Sequence, residues 1–535
     1  MQCKDVLITR LKEFLMQGFL QWRVILSIIF LTGIVVFIYQ PCYLDYARLD
    51  QQTYMKERFF FQNDTAWFVH SISYNRTRIL LPGDSFLFRP VLFSLMAAED
   101  IFLRDKLAIT GVISILLHLS VAILLYVLLQ LHFRRNLAFL FSAVFASQYA
   151  GIEMVAWRHI SFYMFSVFLA LLGFLIIFSK FRGKNFIGVL AILGAMLFHE
   201  AVPLSIVLLA ILLFSTILFR GRLEIRDSVV KPQLIWILGG IVTVYILMDV
   251  MNWVIIKPSS FLSEYDHCCV HWLALVRNFF LYFGAGTCAV FGPFFVDLSW
   301  DKYESFFRWD ITKGHIVKYL LWAVGGLILT LTTMKFSLQR VHRCKERGSD
   351  VLAIWACCGL LSLAVTLSVM RGTYRNMNYL ITATYYYWFF SIFYIIIINH
   401  LIDTLLDKIK LQPLLKKGIL LGVYIIATIF VFSQAWMARD ALMKGYDLTW
   451  AKKIVQATIT AEKYFYLHPE ACLDKMEQFS DPHTLRLGTI PLYLNKFNCG
   501  KRQGTSIVHL VRNDDSSIGF VSSPSQGEVA LKSKF

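Results

Sequence analysis

The sequence predicts an all-α polytopic membrane protein of about eleven transmembrane helices, with a large first external loop and a small C-terminal external domain. Three observations carry that prediction. Of 535 residues, 57% are hydrophobic and only 16% charged, and the mean hydropathy of +0.59 is too high for a stack of water-soluble domains. The apolar runs reach about 20 residues, the length a helix needs to cross a hydrocarbon core of roughly 30 Å, whereas barrel strands would read as short alternating segments. The Lys and Arg residues behind the formal charge of +17 concentrate in short loops between these runs. There they act as an orientation signal, and they do not imply a nucleic-acid partner.

The first run, 24–40, follows Lys4, Arg10, Lys12 and Arg23 and lacks a small-residue cleavage pattern. It reads as an uncleaved span with residues 1–23 in the cytoplasm. Further spans fall at 107–131, 136–156, 161–179, 186–198, 201–219, 233–256, 316–335, 351–370, 380–399 and 418–436. The fifth is short, so its junction with the sixth at His199 and Glu200 reads as a tight hairpin at a membrane-embedded cavity. If the first span runs outward, the basic loops 132–136, 179–185, 219–227, 337–347 and 407–417 all fall on the cytoplasmic side. That consistency requires the apolar stretch 273–296 not to cross. It reads as re-entrant or interfacial, broken by Gly284, Gly286 and the Gly292–Pro293 pair.

The loop 41–106 then lies outside. Its stretches 54–61 and 88–93 read as short amphipathic helices on the membrane surface. Residues 437–512 form the small external domain, with a helical stretch near 450–466. Cys472 and Cys499 are available there for one disulfide in a compartment that permits it. The Ser-rich end, 513–535, reads as disordered. The ten cysteines show no repeated CxxC spacing, and Cys357 and Cys358 sit inside an apolar run, where a thiol behaves as a small hydrophobe. No metal-binding cysteine set is read.

Chemistry is expected at the outer face. Asp64, flanked by aromatic residues soon after the first span, is a carboxylate that can take the proton of an acceptor hydroxyl. Partly apolar surroundings would raise its pKa toward that task. The alternative is a cap for an interfacial helix. Glu99 and Asp100 read as solvated residues ending such a helix. Arg89, Arg158, Arg371 and Arg375 lie on the external side, against the positive-inside tendency. Their guanidinium forks suit the phosphate of a lipid-linked phosphosugar, although any one of them alone reads as a side chain snorkelling to headgroups. The polar stretch 371–379, ending at Tyr379, carries Tyr and Asn groups able to bind a sugar. His199 and Glu200 sit between apolar runs, where an unpaired charge costs about 2.5 to 3.5 kcal/mol. They read either as paired groups contacting the donor or as a solvated turn. His118 reads as a buried, hydrogen-bonded core histidine.

Taken in order, these residues give the chain a resemblance to a known family. Asn63 and Asp64 in the first loop, Phe88, Arg89 and Pro90, the span segment 116–126 with His118, the segment 153–158 ending Trp157–Arg158, and His199–Glu200 together resemble the GT-C superfamily of polyprenyl-phosphate-sugar-dependent glycosyltransferases. Its protein O-mannosyltransferase-like branch is the most similar. The resemblance runs from about residue 24 to 436. It implies a GT-C-like transmembrane module in which Asp64 is the catalytic base and the external arginines, Arg89 and Arg375 foremost, hold the phosphate. His199 stands where relatives often carry Lys. No cofactor is firmly implied, and the chemistry leaves room for a divalent metal.

The implied partners are a lipid-linked sugar donor, membrane lipids and an acceptor whose identity the sequence leaves open. The competing readings are a polytopic transporter or flippase and a ligase or polymerase of lipid-linked glycans of the O-antigen type. Asn63 and Asn75 head formal glycosylation sequons. A glycan on Asn63 would crowd Asp64, which favours a bacterial inner membrane over the endoplasmic reticulum, with the N-terminus cytoplasmic and the C-terminus external.

Overall fold

The computed structural model describes residues 22–43, 65, 68, 90–103, 107–156, 158–178, 183–198, 272–291, 313–342, 348–371, 384–408, 413–445, 472–473, 507–512 and 518–523. The expected spans 201–219 and 233–256, the helical stretch near 450–466, and Cys499 lie outside these residues. So does most of the first loop.

The described chain is a helical bundle around one apolar core. It opens with α1 (Trp22–Tyr39), which tightens into a 3-10 turn over Gln40–Tyr43. Next come α2 (Pro90–Leu103), α3 (Leu107–His132), α4 (Arg135–Ser147), α5 (Gly151–Ala156), α6 (Arg158–Ser161), α7 (Tyr163–Phe178) and α8 (Lys184–Phe198). The second group is α9 (Trp272–Phe291), α10 (Lys313–His342), α11 (Gly348–Arg371), α12 (Thr384–Lys408) and α13 (Pro413–Gly445).

Among the described residues five helical stretches are long and apolar enough to cross a membrane: Trp22–Cys42, Ala108–His132, Val317–Arg340, Tyr386–Leu406 and Lys417–Asp440. Five shorter apolar helices accompany them. The protein is therefore a helical membrane protein. α3 and α12 are central, whereas α1, α10 and α13 turn much of their surface outward. On α13 that surface includes Ile425, Ile426, Ile429, Phe432 and Trp436, a face that lipid solvates and water would not.

Element bounds depart from the sequence reading in informative ways. The expected span 136–156 is two helices. α4 stops at Ser147, Gln148 takes an extended conformation (φ −63°, ψ 135°), and α5 restarts at Gly151 with every residue of the interruption buried. α9 runs unbroken through Gly284 and Gly286. These glycines serve helix contact and do not end the helix: a β-carbon on Gly284 would collide with the Tyr319 carbonyl of α10, and one on Gly286 would stand 2.6 Å from the Phe390 ring of α12. The helix ends at Phe291, immediately before Gly292.

The surface helix expected at 88–93 is α2, which buries Leu92, Met96 and Ala97 and packs on α8 and α3. Glu99 lies half-buried within it, since the helix continues to Leu103. In the C-terminal region β1 (Cys472–Leu473) pairs in parallel with β2 (Ile507–Arg512), and β2 pairs antiparallel with β3 (Ile518–Ser523). The last strand falls inside the stretch read as disordered.

Candidate functional site

Asp64, Arg89, His199, Glu200, Arg375 and Tyr379 lie outside the described residues. For Arg158 and Arg371 the backbone alone is described: the first opens α6, and the second closes α11. Their positions follow from the opposite end of the bundle.

That opposite end is basic and tightly paired. Arg340 near the end of α10 approaches Asp350 near the start of α11 (Nε to Oδ2, 3.5 Å) and donates from Nη1 to Thr404 of α12 at 3.0 Å. His400 Nε2 stands 3.5 Å from Asp350 Oδ1 and 3.0 Å from Ser337 Oγ. Arg134, in the turn between α3 and α4, pairs with Asp403 at 3.0 Å. Three of the basic loops, 132–136, 337–347 and 407–417, are thus drawn to one end by contacts among residues at their borders. α11 leaves this end at Asp350. Its last residue, Arg371, is 21 residues further on, about 32 Å along a helix. α4 leaves the same end at Arg135 and leads toward α5 and α6. The backbones of Arg158 and Arg371 therefore stand in the half of the molecule away from the basic loops.

Ser337, His400 and Asp350 invite comparison with a nucleophilic triad, and the geometry rejects it. Serine and carboxylate both approach the same ring nitrogen, Nε2, while Nδ1 has no hydrogen-bond partner. A triad needs them on opposite nitrogens. Asp350 and His400 are also closed to solvent. The cluster is an electrostatic clasp joining α10, α11 and α12.

A second polar cluster gathers at the interruption between α4 and α5. His118, midway along α3, is fully buried and donates from Nε2 to the carbonyl of Ala146 at 3.2 Å. That carbonyl belongs to the last turn of α4, which lacks an onward helical partner. On the other side of the gap the amide of Tyr149 donates to Gln434 Oε1 of α13 at 3.2 Å. The amide of Gly151 closes back on the Gln148 carbonyl at 3.0 Å. Side chains from two other helices thus satisfy backbone that an unbroken helix would have satisfied itself.

Three rings meet over this gap. Tyr39 lies 5.1 Å from His118 and Trp388 lies 5.9 Å from it, centroid to centroid. All three converge on Gly151, where a β-carbon would stand 2.5 Å from the Tyr39 hydroxyl, 3.3 Å from His118 Cε1 and 3.5 Å from Trp388 Cδ1. Glycine is required there. The Tyr39 hydroxyl, His118 Nδ1, Trp388 Nε1 and both polar atoms of the Gln148 amide are buried without a hydrogen-bond partner in the protein. Glu153, buried on α5, follows in the next turn.

Sequence reasoning anticipated His118 as a buried, bonded histidine. It missed Tyr39, Gln148, Trp388 and Gln434. Their signal was polarity inside apolar runs: glutamines at 148 and 434 are costly in lipid and need partners. Among the described residues no group of three or more His, Cys, Asp or Glu side chains is placed to hold a metal ion.

No protein-family model, curated protein or solved structure matches the chain.

Proposed function

We propose that the chain is an integral membrane glycosyltransferase of GT-C type. It moves a sugar from a polyprenyl-phosphate donor to an acceptor hydroxyl on the face of the membrane away from the basic loops. The observation that carries this reading is the ordered motif set between residues 24 and 436, with Asp64 and Arg89 in the long segment after the first span. The helical membrane bundle supports it, as does the gathering of three basic loops at one end. That gathering leaves the other end for a lipid-borne phosphosugar.

In the reaction the acceptor oxygen attacks the anomeric carbon while Asp64 takes the hydroxyl proton. The bond from that carbon to the phosphate oxygen breaks, and polyprenyl phosphate leaves with the electron pair. Arginine forks, those of Arg89 and Arg375 foremost with those of Arg158 and Arg371, stabilise the charge growing on that phosphate. His199, Glu200 and Tyr379 bind the sugar or its phosphate.

The test is transfer of labelled sugar from polyprenyl phosphate in vesicles. Asp64→Asn is expected to lower the rate by about 10²-fold or more, and equal rates in the two proteins would remove the proposed base. One observation favours a transporter as the second reading: interrupted, buried helices also build substrate paths within bilayers. In that case the vesicles would show movement of the lipid-linked sugar across the membrane without transfer to an acceptor.

A further inference from the structure

The interruption between α4 and α5 gathers buried polar side chains from several helices. Many buried hydroxyls of the bundle bond back into their own helices, as Ser114 does to Thr110, Ser142 to Ala138, Thr330 to Gly326 and Ser368 to Ala364. At the interruption Tyr39, His118, Trp388 and Gln148, from three helices and the gap itself, each bury polar atoms that bond to nothing in the protein. A single orphan in a buried site is tolerable. Several together in an apolar core are expensive, and such groups are ordinarily satisfied by a bound molecule.

The protonation of His118 defines what that molecule must be. Because its Nε2 faces the Ala146 carbonyl, an acceptor, the hydrogen of a neutral imidazole sits on Nε2 and Nδ1 is left with a lone pair. Nδ1 therefore accepts. Trp388 Nε1 can only donate, the Gln148 amide does both, and the Tyr39 hydroxyl takes either role. The fitting partner donates to one wall and accepts from another, which an uncharged hydroxyl does and a phosphate or ammonium does not. The three rings converge within a few ångströms of Gly151.

We propose that Tyr39, His118, Gln148 and Trp388 form a binding site for one uncharged hydroxyl group, at the break between α4 and α5. The hydroxyl comes from a buried water or from a sugar hydroxyl of the lipid-linked donor; the second source rests on the transferase reading. In either case the site fixes the broken helix that leads to Arg158.

Purified full-length protein in detergent tests this with Tyr39→Phe and Gln148→Met, which remove polar atoms while nearly keeping volume. Thermal unfolding is measured without lipid, with polyprenyl phosphate, and with mannosyl-phosphoryl polyprenol. A bound water predicts that each variant melts at a lower temperature without any lipid, because a filled hydrogen-bond site has been lost. A sugar hydroxyl predicts variants that melt at or above the wild-type temperature without lipid. Their preference for the sugar-bearing over the sugar-free lipid then falls about tenfold relative to wild type. Variants that melt no lower than wild type and keep its lipid preference, including a wild type with no preference, would overturn the site. Transfer by Asp64→Asn is a separate measurement, so the failure of the transferase reading and the failure of this site are distinguishable.

Discussion

Asp350 shows how much a single side chain carries in a membrane bundle. Its carboxylate is fully buried, with Arg340 approaching from α10 and His400 from α12. Removing one partner of a buried ion pair strands the other. Asp350→Ala is therefore expected to destabilise the protein by about 3–5 kcal/mol, read as a lower unfolding temperature in detergent. Replacing Asp350 and Arg340 together by Leu recovers most of that loss, since a well-packed apolar pair avoids the desolvation penalty. The Arg134–Asp403 pair is a contrast. Arg134 is 35% exposed, and Arg134→Ala is expected to cost no more than about 1 kcal/mol. At this scale the sequence was readable where chemistry is local. It announced Cys357 and Cys358 as small buried hydrophobes, which they are, and His118 as a bonded core histidine. It did not announce Asp350 or His400, because their partners lie on other helices and meet them only when those helices pack.

Helix existence was legible, and helix interruption was not. Apolar runs bounded by charge marked α1, α3 and α8 to within a few residues, because lipid imposes a minimum length and excludes charge from the middle. The break at 148–150 left no such mark. The residues there are Gln148, Tyr149 and Ala150, with no proline, and the decisive contacts come from His118 and Gln434. Glycine misled in the opposite sense: at 284 and 286 it reads as a helix breaker, yet it allows α9 to approach α10 and α12. Gly286→Leu is accordingly expected to force α9 and α12 apart and to cost about 1–3 kcal/mol, measured as reduced thermal stability and lower yield of folded protein. Gly325 on α10 has no neighbour within 4 Å of its β-position. Gly325→Ala is expected to leave stability unchanged or raise it by up to about 1 kcal/mol.

For the whole molecule, three of the five basic loops meet at one end of the packed bundle. The positive-inside tendency assigned five basic loops to one side using composition alone. The packing then draws three of them to one end through Arg134–Asp403, Arg340–Asp350 and Arg340–Thr404. At the other end α13 returns to α1: Arg439 donates to the Phe37 carbonyl and lies over the Phe37 ring. The ends of the bundle are therefore chemically distinct, and their sidedness can be measured. Single cysteines placed in the segments 132–136, 343–347 and 409–412 of a cysteine-substituted protein are expected to resist an impermeant thiol reagent applied to intact cells, and to react once the membrane is opened. Cysteines placed in 41–106 should react in intact cells. Labelling of the two sets from the same side would break the link between basic loops and cytoplasm. The segment carrying Asp64 and Arg89 would then face the compartment of the basic loops, where a donor presented at the outer face does not reach it.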